Sequence, residues 1–321
     1  MAAEIILVVG YNAAGKSTVT KEYESKGYNR LNRDEAGGKV IDLLKPTEDL
    51  IKHGASVILD NTFPTIESRE PFIQLAKKAK VPIRCLWLAT SFEDAQLNAC
   101  LRMMQRCGHI LSPAEMKATR DPNLFGPAAI FSYKNKFEGK DKTLKHPGKQ
   151  APKTEHGFTS VEKREFNRVW GPEFVNKALI LDFDGTLRES DGPNDWPNKA
   201  SEVRVLPGRK EKIREYQDKG YVILGASNQS AISKGLAEKD AIDCFERTKE
   251  LLGVDIDYMY CPHSVPPVIC YCRKPHVGMG ASFIWKYKLD PSKCIMVGDM
   301  TSDATFASRC GFQFQHANEF F

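Results

Sequence analysis

The run IILVV at positions 5–9 passes straight into GYNAAGKST, and that junction limits the fold more than anything else in the chain. Five apolar residues in succession offer no polar face to water, so they belong in a strand buried on both sides. Gly10 and Gly15 let the backbone turn back tightly, and the residues after them begin a helix. A buried strand feeding a glycine loop and a helix is the opening unit of a parallel α/β sheet, with the loop at the sheet's carboxyl edge. Amide groups of such a loop, together with the positive end of the helix, form a cradle for phosphate. Gly10, Asn12, Gly15, Lys16, Ser17 and Thr18 are therefore expected to hold the phosphates of ATP. Lys16 should reach the β- and γ-phosphates and Ser17 should ligate Mg²⁺.

The same alternation continues. Strands are predicted at 5–9, 57–59 and 83–88 with helices at 16–25, 67–78 and 92–106, and again strands at 178–181, 222–224 and 294–297 with helices at 209–219, 237–252 and 302–310. At 321 residues the chain is long enough for two α/β domains, each with its own core. Gly171 and Pro172 interrupt the pattern before the second series. This places the expected boundary between domains 1–172 and 173–321.

Composition excludes some classes. With 41% hydrophobic and 27% charged residues the chain is neither disordered nor fibrous. No apolar run approaches the roughly 20 residues of a membrane span, and the run at 5–9 lacks the length and basic flank of a signal peptide. An intracellular, soluble protein is the expectation. The formal charge of +5 is concentrated in the first half, notably at Lys134, Lys136, Lys140, Lys142, Lys145, Lys149 and Lys153 in a stretch punctuated by glycine and proline. Charge alone does not choose between a solvated loop and a surface for polyanions.

Two acids follow strands in the first half, Asp34 in LNRDE and Asp60 in ILDNT. Carboxylates at strand ends facing the loop can position Mg²⁺ and take a proton from an attacking hydroxyl, and either can equally cap a helix. Arg102 and Arg106 in LRMMQR share one helical face, ahead of a loop with Gly108 and Pro113. That is the arrangement of a surface ion pair or of a lid whose arginines meet a transferring phosphoryl group. Together, GYNAAGKST, LNRDE, ILDNTFPTIESREPF, LRMMQR, SYKNKFE and APKTEHGF resemble the kinase domain of polynucleotide kinase-phosphatases over nearly all of 1–165. The resemblance implies phosphorylation of 5′-hydroxyl ends of DNA or RNA. It makes Asp34 the general base, Asp60 and Arg69 acceptor-site residues, and Arg106 with Arg102 the lid arginines. At Gly37 the chain departs from the phage member, which has arginine there.

The second series opens with LILDFDGTL. A carboxylate set against a phosphomonoester can attack phosphorus, and a second one two residues on can protonate the leaving oxygen and then deprotonate water. Two carboxylates beside a phosphate dianion need Mg²⁺. Asp182 and Asp184, then Ser227 in GASNQS, Lys274 in CRKP, and Asp299 and Asp303 in VGDMTSD resemble in order the motifs of the haloacid dehalogenase superfamily, with its Rossmann-like fold. The resemblance implies Asp182 as nucleophile, Asp184 as acid and base, Ser227 and Lys274 on the phosphoryl group, and Asp182, Asp184, Asp299 and Asp303 around Mg²⁺. Cys261, His263, Cys270 and Cys272 offer four ligands suited to tetrahedral Zn²⁺ in a stapled loop, 261–272, with a disulfide as the alternative. With that loop the domain most resembles the histidinol-phosphate and heptose-bisphosphate phosphatases; the polynucleotide 3′-phosphatases are related but lack the loop in their familiar forms.

The two sites need not oppose each other if they act on different ends of a broken strand. One removes a 3′-phosphate, the other phosphorylates a 5′-hydroxyl, and the break becomes ligatable. The expected substrate is therefore a DNA or RNA end, with the lysine-rich stretch on its backbone. A sugar or polyol kinase and phosphatase is the rival enzyme reading, and a scaffold that has lost catalysis is the non-enzymatic one.

Overall fold

All five residues of IILVV are buried, in strand β1 (Ile5–Val9) at the centre of a parallel sheet. The computed structural model describes residues 3–139, 149–264 and 269–321, which divide into two units. The first is Met1–Ala99 with Arg120–Arg168, the second Cys100–Thr119 with Val169–Phe321. This differs from a simple serial division at residue 172, because the segment Cys100–Thr119 groups with the second unit.

In the first unit β2 (Asn29–Leu31), β3 (Val57–Asp60), β4 (Ile83–Ala89) and β5 (Ser160–Glu165) join β1 in the order β2-β3-β1-β4-β5, every pair parallel. Register places Val8 opposite Asp60, so the carboxylate lies at the carboxyl edge beside the glycine loop. The apolar runs announced β1, β3 and β4. Strand β5, SVEKRE, is mostly exposed, which is what an edge strand with charged side chains tolerates and why no apolar signal marks it. Lys134 and Lys136 lie on a helix, Pro127–Glu138, and not in a loop. Ile130, Tyr133 and Phe137 recur at helical spacing and are buried, and Pro127 opens the first turn. Lys140, Lys142 and Lys145 fall outside the described residues.

The second unit contains β6 (Ala178–Leu181), a small antiparallel hairpin of β7 (Arg188–Ser190) and β8 (Val203–Val205), then β9 (Val222–Asn228), β10 (Asp257–Cys261), β11 (Ile295–Gly298) and β12 (Gln313–His316). The main sheet runs β10-β9-β6-β11-β12, again all parallel. Helices Arg209–Asp218, Glu238–Leu252 and Thr301–Cys310 lie within a residue of their expected bounds. Leu179, Leu181, Phe183, Ile213, Phe245 and Val297 meet in one core. Gly225 in β9 is required there: a Cβ on it would stand 2.3 Å from Cε2 of Phe183. Leu181 pairs with Gly225 on one side and Val297 on the other, so Asp182, Ser227 and Asp299 all emerge at one sheet edge. Among the described residues no helix is long and apolar enough to cross a membrane.

Candidate active sites

The glycine loop of the first unit is held in shape by its neighbours. Gly10 is pressed so closely that a Cβ would meet Leu88 O at 3.1 Å, Ala13 and Gly15 take left-handed backbone, and Gly15 caps the helix Lys16–Glu24 without a side chain. Asn98 Nδ2 donates to Ala13 O (2.9 Å) and Thr90 Oγ1 to Ala14 O (3.1 Å). No acid occupies the first turn of the helix, so its positive end is available to an anion. Lys16 Nζ donates to Tyr11 O at 2.6 Å and Gly10 O at 3.3 Å, folded back over the loop its charge would serve. Ser17 Oγ donates to Asp60 Oδ2 at 3.3 Å.

Asp60 is buried, and its Oδ2 also receives Arg30 Nε (3.0 Å) and Nη2 (2.8 Å). Its backbone carbonyl accepts from Asn32 Nδ2 at 2.8 Å, while Asn32 Oδ1 caps the amide of Asp34 at 2.7 Å. One asparagine thus ties the end of β3 to the short helix Arg33–Ala36 that carries Asp34. The Asp34 side chain is 40% exposed and paired with Arg33.

In the second unit Lys274 Nζ is fully enclosed. It lies 2.9 Å from Asp182 Oδ1 and 2.7 Å from Asp303 Oδ1, and donates to Ala226 O at 2.7 Å. Burial opposes its charge, and Asp182 and Asp303 more than offset that, holding the ammonium above its ordinary range. Asn228 fixes the backbone of Lys274 at both ends: Lys274 N donates to Asn228 Oδ1 (2.9 Å) and Asn228 Nδ2 to Lys274 O (3.0 Å). Asp184 is held separately, its Oδ1 by Arg188 Nε (2.7 Å) and its Oδ2 by Gln229 Nε2 (2.8 Å), which also donates to Ser227 Oγ (2.9 Å). Arg188 is buried under the rings of Phe183 and Phe245 and reaches Thr248 Oγ1 at 3.0 Å. These groups line a cleft of about 500 Å³ whose rim carries Asp195, Trp196, Arg273 and Met300.

The carboxylates of Asp182, Asp299 and Asp303 converge to within 4.8 Å of one another. Burial pushes Asp182 up to about 7, Lys274 opposing it, and burial raises Asp299 as well. Oδ1 of Asp299 is buried with no hydrogen-bond partner. Three crowded acids with an orphaned oxygen fit a divalent cation, whose charge reverses those shifts. A Cβ at Gly185 would stand 2.4 Å from Asp299 Oδ2, so glycine there keeps this corner open. Separately, single ligand atoms of Cys261, His263, Cys270 and Cys272 also lie within 4.8 Å of one another. Cys261 Sγ is 3.7 Å from Cys270 Sγ and 3.5 Å from His263 Nδ1, and Cys272 Sγ is 3.3 Å from that nitrogen. Bonds of ~2.3 Å from sulfur to zinc make tetrahedral edges near these lengths. No disulfide joins these cysteines in the structure.

Residues 5–105 match the family model of the AAA domain, and 177–321 match the model described as polynucleotide kinase 3 phosphatase. Over 164 residues the chain is 32% identical to the bifunctional polynucleotide phosphatase/kinase of Schizosaccharomyces pombe, covering 51% of this chain and 34% of that protein. By these matches the chain resembles the polynucleotide phosphatase/kinases. It joins a P-loop kinase domain to a phosphatase domain of the haloacid dehalogenase type, and it spans about a third of the length of the S. pombe relative. The phosphatase domain is also 32% identical over 145 residues to the probable D-glycero-D-manno-heptose-1,7-bisphosphate 7-phosphatase of Thermoplasma volcanium, covering 43% of this chain and 97% of that one. The solved structure of the Pnkp1/Rnl/Hen1 complex covers 98% of this chain and 96% of its own, at 14% identity and a TM-score of 0.34.

Three of the expected site residues are engaged by partners within the protein. Asp60, expected in the acceptor site, is enclosed beneath Ser17 and occupied by Arg30, a position suited to the cation beside the phosphates. Arg69, also expected there, is fully buried and braces the turn after β3, donating to Phe63 O (3.0 Å) and Pro64 O (3.2 Å). Asp184 stands outside the three converging carboxylates, because Arg188 and Gln229 claim both its oxygens. Arg102 and Arg106 sit one turn apart on the helix Phe92–Cys107, Arg102 half-buried and Arg106 exposed. Sequence reasoning passed over Arg30, Arg188, Asn228 and Gln229. Arg30 and Arg188 each carried a signal, an arginine within a strand beside an acid motif, where an unpaired cation would be costly.

Proposed function

We propose that this protein heals nucleic-acid ends, phosphorylating 5′-hydroxyls with ATP and removing 3′-phosphates. One observation carries the reading: a phosphate cradle and an enclosed carboxylate–lysine cleft stand in one chain whose two halves match a kinase-type and a polynucleotide-phosphatase-type model. In the kinase, the helix end and Lys16 hold the triphosphate while Asp34, exposed at the strand edge, takes the proton of the 5′-hydroxyl. The hydroxyl oxygen bonds to the γ-phosphorus as the bond to ADP breaks.

In the phosphatase, Asp182 attacks phosphorus and the 3′-oxygen leaves with a proton from Asp184. Water then attacks the aspartyl-phosphate, Asp184 takes its proton, and inorganic phosphate departs. Arg188 and Gln229 orient the Asp184 carboxyl, and Ser227 and Lys274 hold the phosphoryl oxygens. Mg²⁺, when bound by Asp182, Asp299 and Asp303, neutralises the charge that nucleophile and phosphate bring together. An oligonucleotide with 5′-hydroxyl and 3′-phosphate ends, incubated with ATP and Mg²⁺ and resolved by mass, is expected to gain one phosphate and lose the other. An untouched 3′-phosphate would assign the phosphatase to a small phosphomonoester, the reading favoured by its identity to a heptose-bisphosphate phosphatase.

We assign Zn²⁺ to Cys261, His263, Cys270 and Cys272 as a structural staple. Cys270→Ser is expected to remove one equivalent of zinc by elemental analysis and to lower the melting temperature, since structural zinc contributes folding energy directly. Unchanged metal content would sink that assignment.

A further inference from the structure

Trp196, one of four tryptophans in the chain, stands 45% exposed on the rim of the phosphatase cleft. Exposing an indole costs burial of one of the largest apolar side chains, so its position calls for an occupant. The loop that carries it is anchored. Pro197, next in sequence, is buried, with its carbonyl accepting from Cys244 Sγ at 3.6 Å. Asn198 N donates to Glu202 Oε2 (2.8 Å) and Asp191 N to Glu202 O (2.9 Å), pinning the loop to the hairpin β7/β8. The backbone on which the indole is mounted is thus fixed at the mouth.

A phosphate at Asp182 puts whatever it esterifies toward that mouth, because Asp182 and Trp196 line the same cleft. A sugar phosphate presents hydroxyls to the rim, and an indole face adds little for them. A nucleoside presents a flat π-face. Asp195, next to Trp196 in sequence, repels a backbone phosphate while Arg273 in the same cleft attracts one, which leaves the base as the group for the indole.

We propose that Trp196 is a specificity-determining residue of the phosphatase site, a platform on which the terminal base of a 3′-phosphorylated polynucleotide stacks. The proposal rests on the end-healing reading above. Trp196→Ala is expected to lower kcat/KM on an oligonucleotide 3′-phosphate by about 5- to 150-fold, mostly through KM, as loss of one base–aromatic stack implies. Hydrolysis of glycerol 2-phosphate, which has no ring, should be unchanged, and Trp196→Phe should restore most of the loss. Replacing the terminal nucleotide with an abasic one should slow the wild type and leave Trp196→Ala unaffected. Equal losses on oligonucleotide and glycerol phosphate would show that Trp196 only shapes the cleft and would overturn the proposal, as would an unimpaired Trp196→Ala on the oligonucleotide. A wild type that cleaves glycerol phosphate but ignores the oligonucleotide would instead overturn the end-healing reading, and this proposal with it.

Discussion

Asp182→Asn is expected to abolish 3′-phosphatase activity, by at least about 10⁴-fold in kcat/KM, and to leave 5′-kinase activity intact. An amide oxygen has no anionic lone pair to bond to phosphorus, so the covalent step is lost and only cleft binding remains. The substitution is close to isosteric, and Lys274 keeps its contacts to Asp303 and Ala226 O, so the fold should survive. Radiolabelled oligonucleotides read both activities in one sample, and a thermal melt checks folding. Residual turnover within tenfold of wild type would remove Asp182 from the nucleophile's role. Loss of kinase activity in a folded variant would break the model of two independent sites.

Lys16→Ala is the complementary case. Its expected outcome is a loss of at least about 10³-fold in 5′-phosphorylation with the 3′-phosphatase unchanged, because a preorganised cation on the β- and γ-phosphates acts where charge shifts in the transition state. The loop keeps its shape from Gly10, Gly15 and the bond from Asn98 to Ala13 O. Alanine should therefore cost little stability. If binding of ATP weakens while single-turnover phosphoryl transfer at saturation is unchanged, Lys16 contributes to ground-state binding and not to the chemical step.

The sequence by itself determined the class of fold and which side chains stand at each strand end. IILVV with GYNAAGKST, and ALIL with DFDGT, are contiguous: strand, turn and functional group lie within a dozen residues, so local sterics and burial specify them without help from the rest of the chain. The same holds for the close spacing of Cys261 and His263, and of Cys270 and Cys272. What tertiary structure alone decided is which distant group each carboxylate meets. Parallel register sets Val8 beside Asp60 and thereby brings Ser17 to that acid, with Arg30 closing on it from the next strand. Leu181 beside Gly225 and Val297 likewise gathers Asp182, Ser227 and Asp299, which are far apart in the chain. Arg69 shows the reverse case, an arginine in an acid-rich motif that the fold spends on two backbone carbonyls. Buried charges must be paired where the chain crosses itself, and sequence spacing carries no record of which pairs those crossings permit.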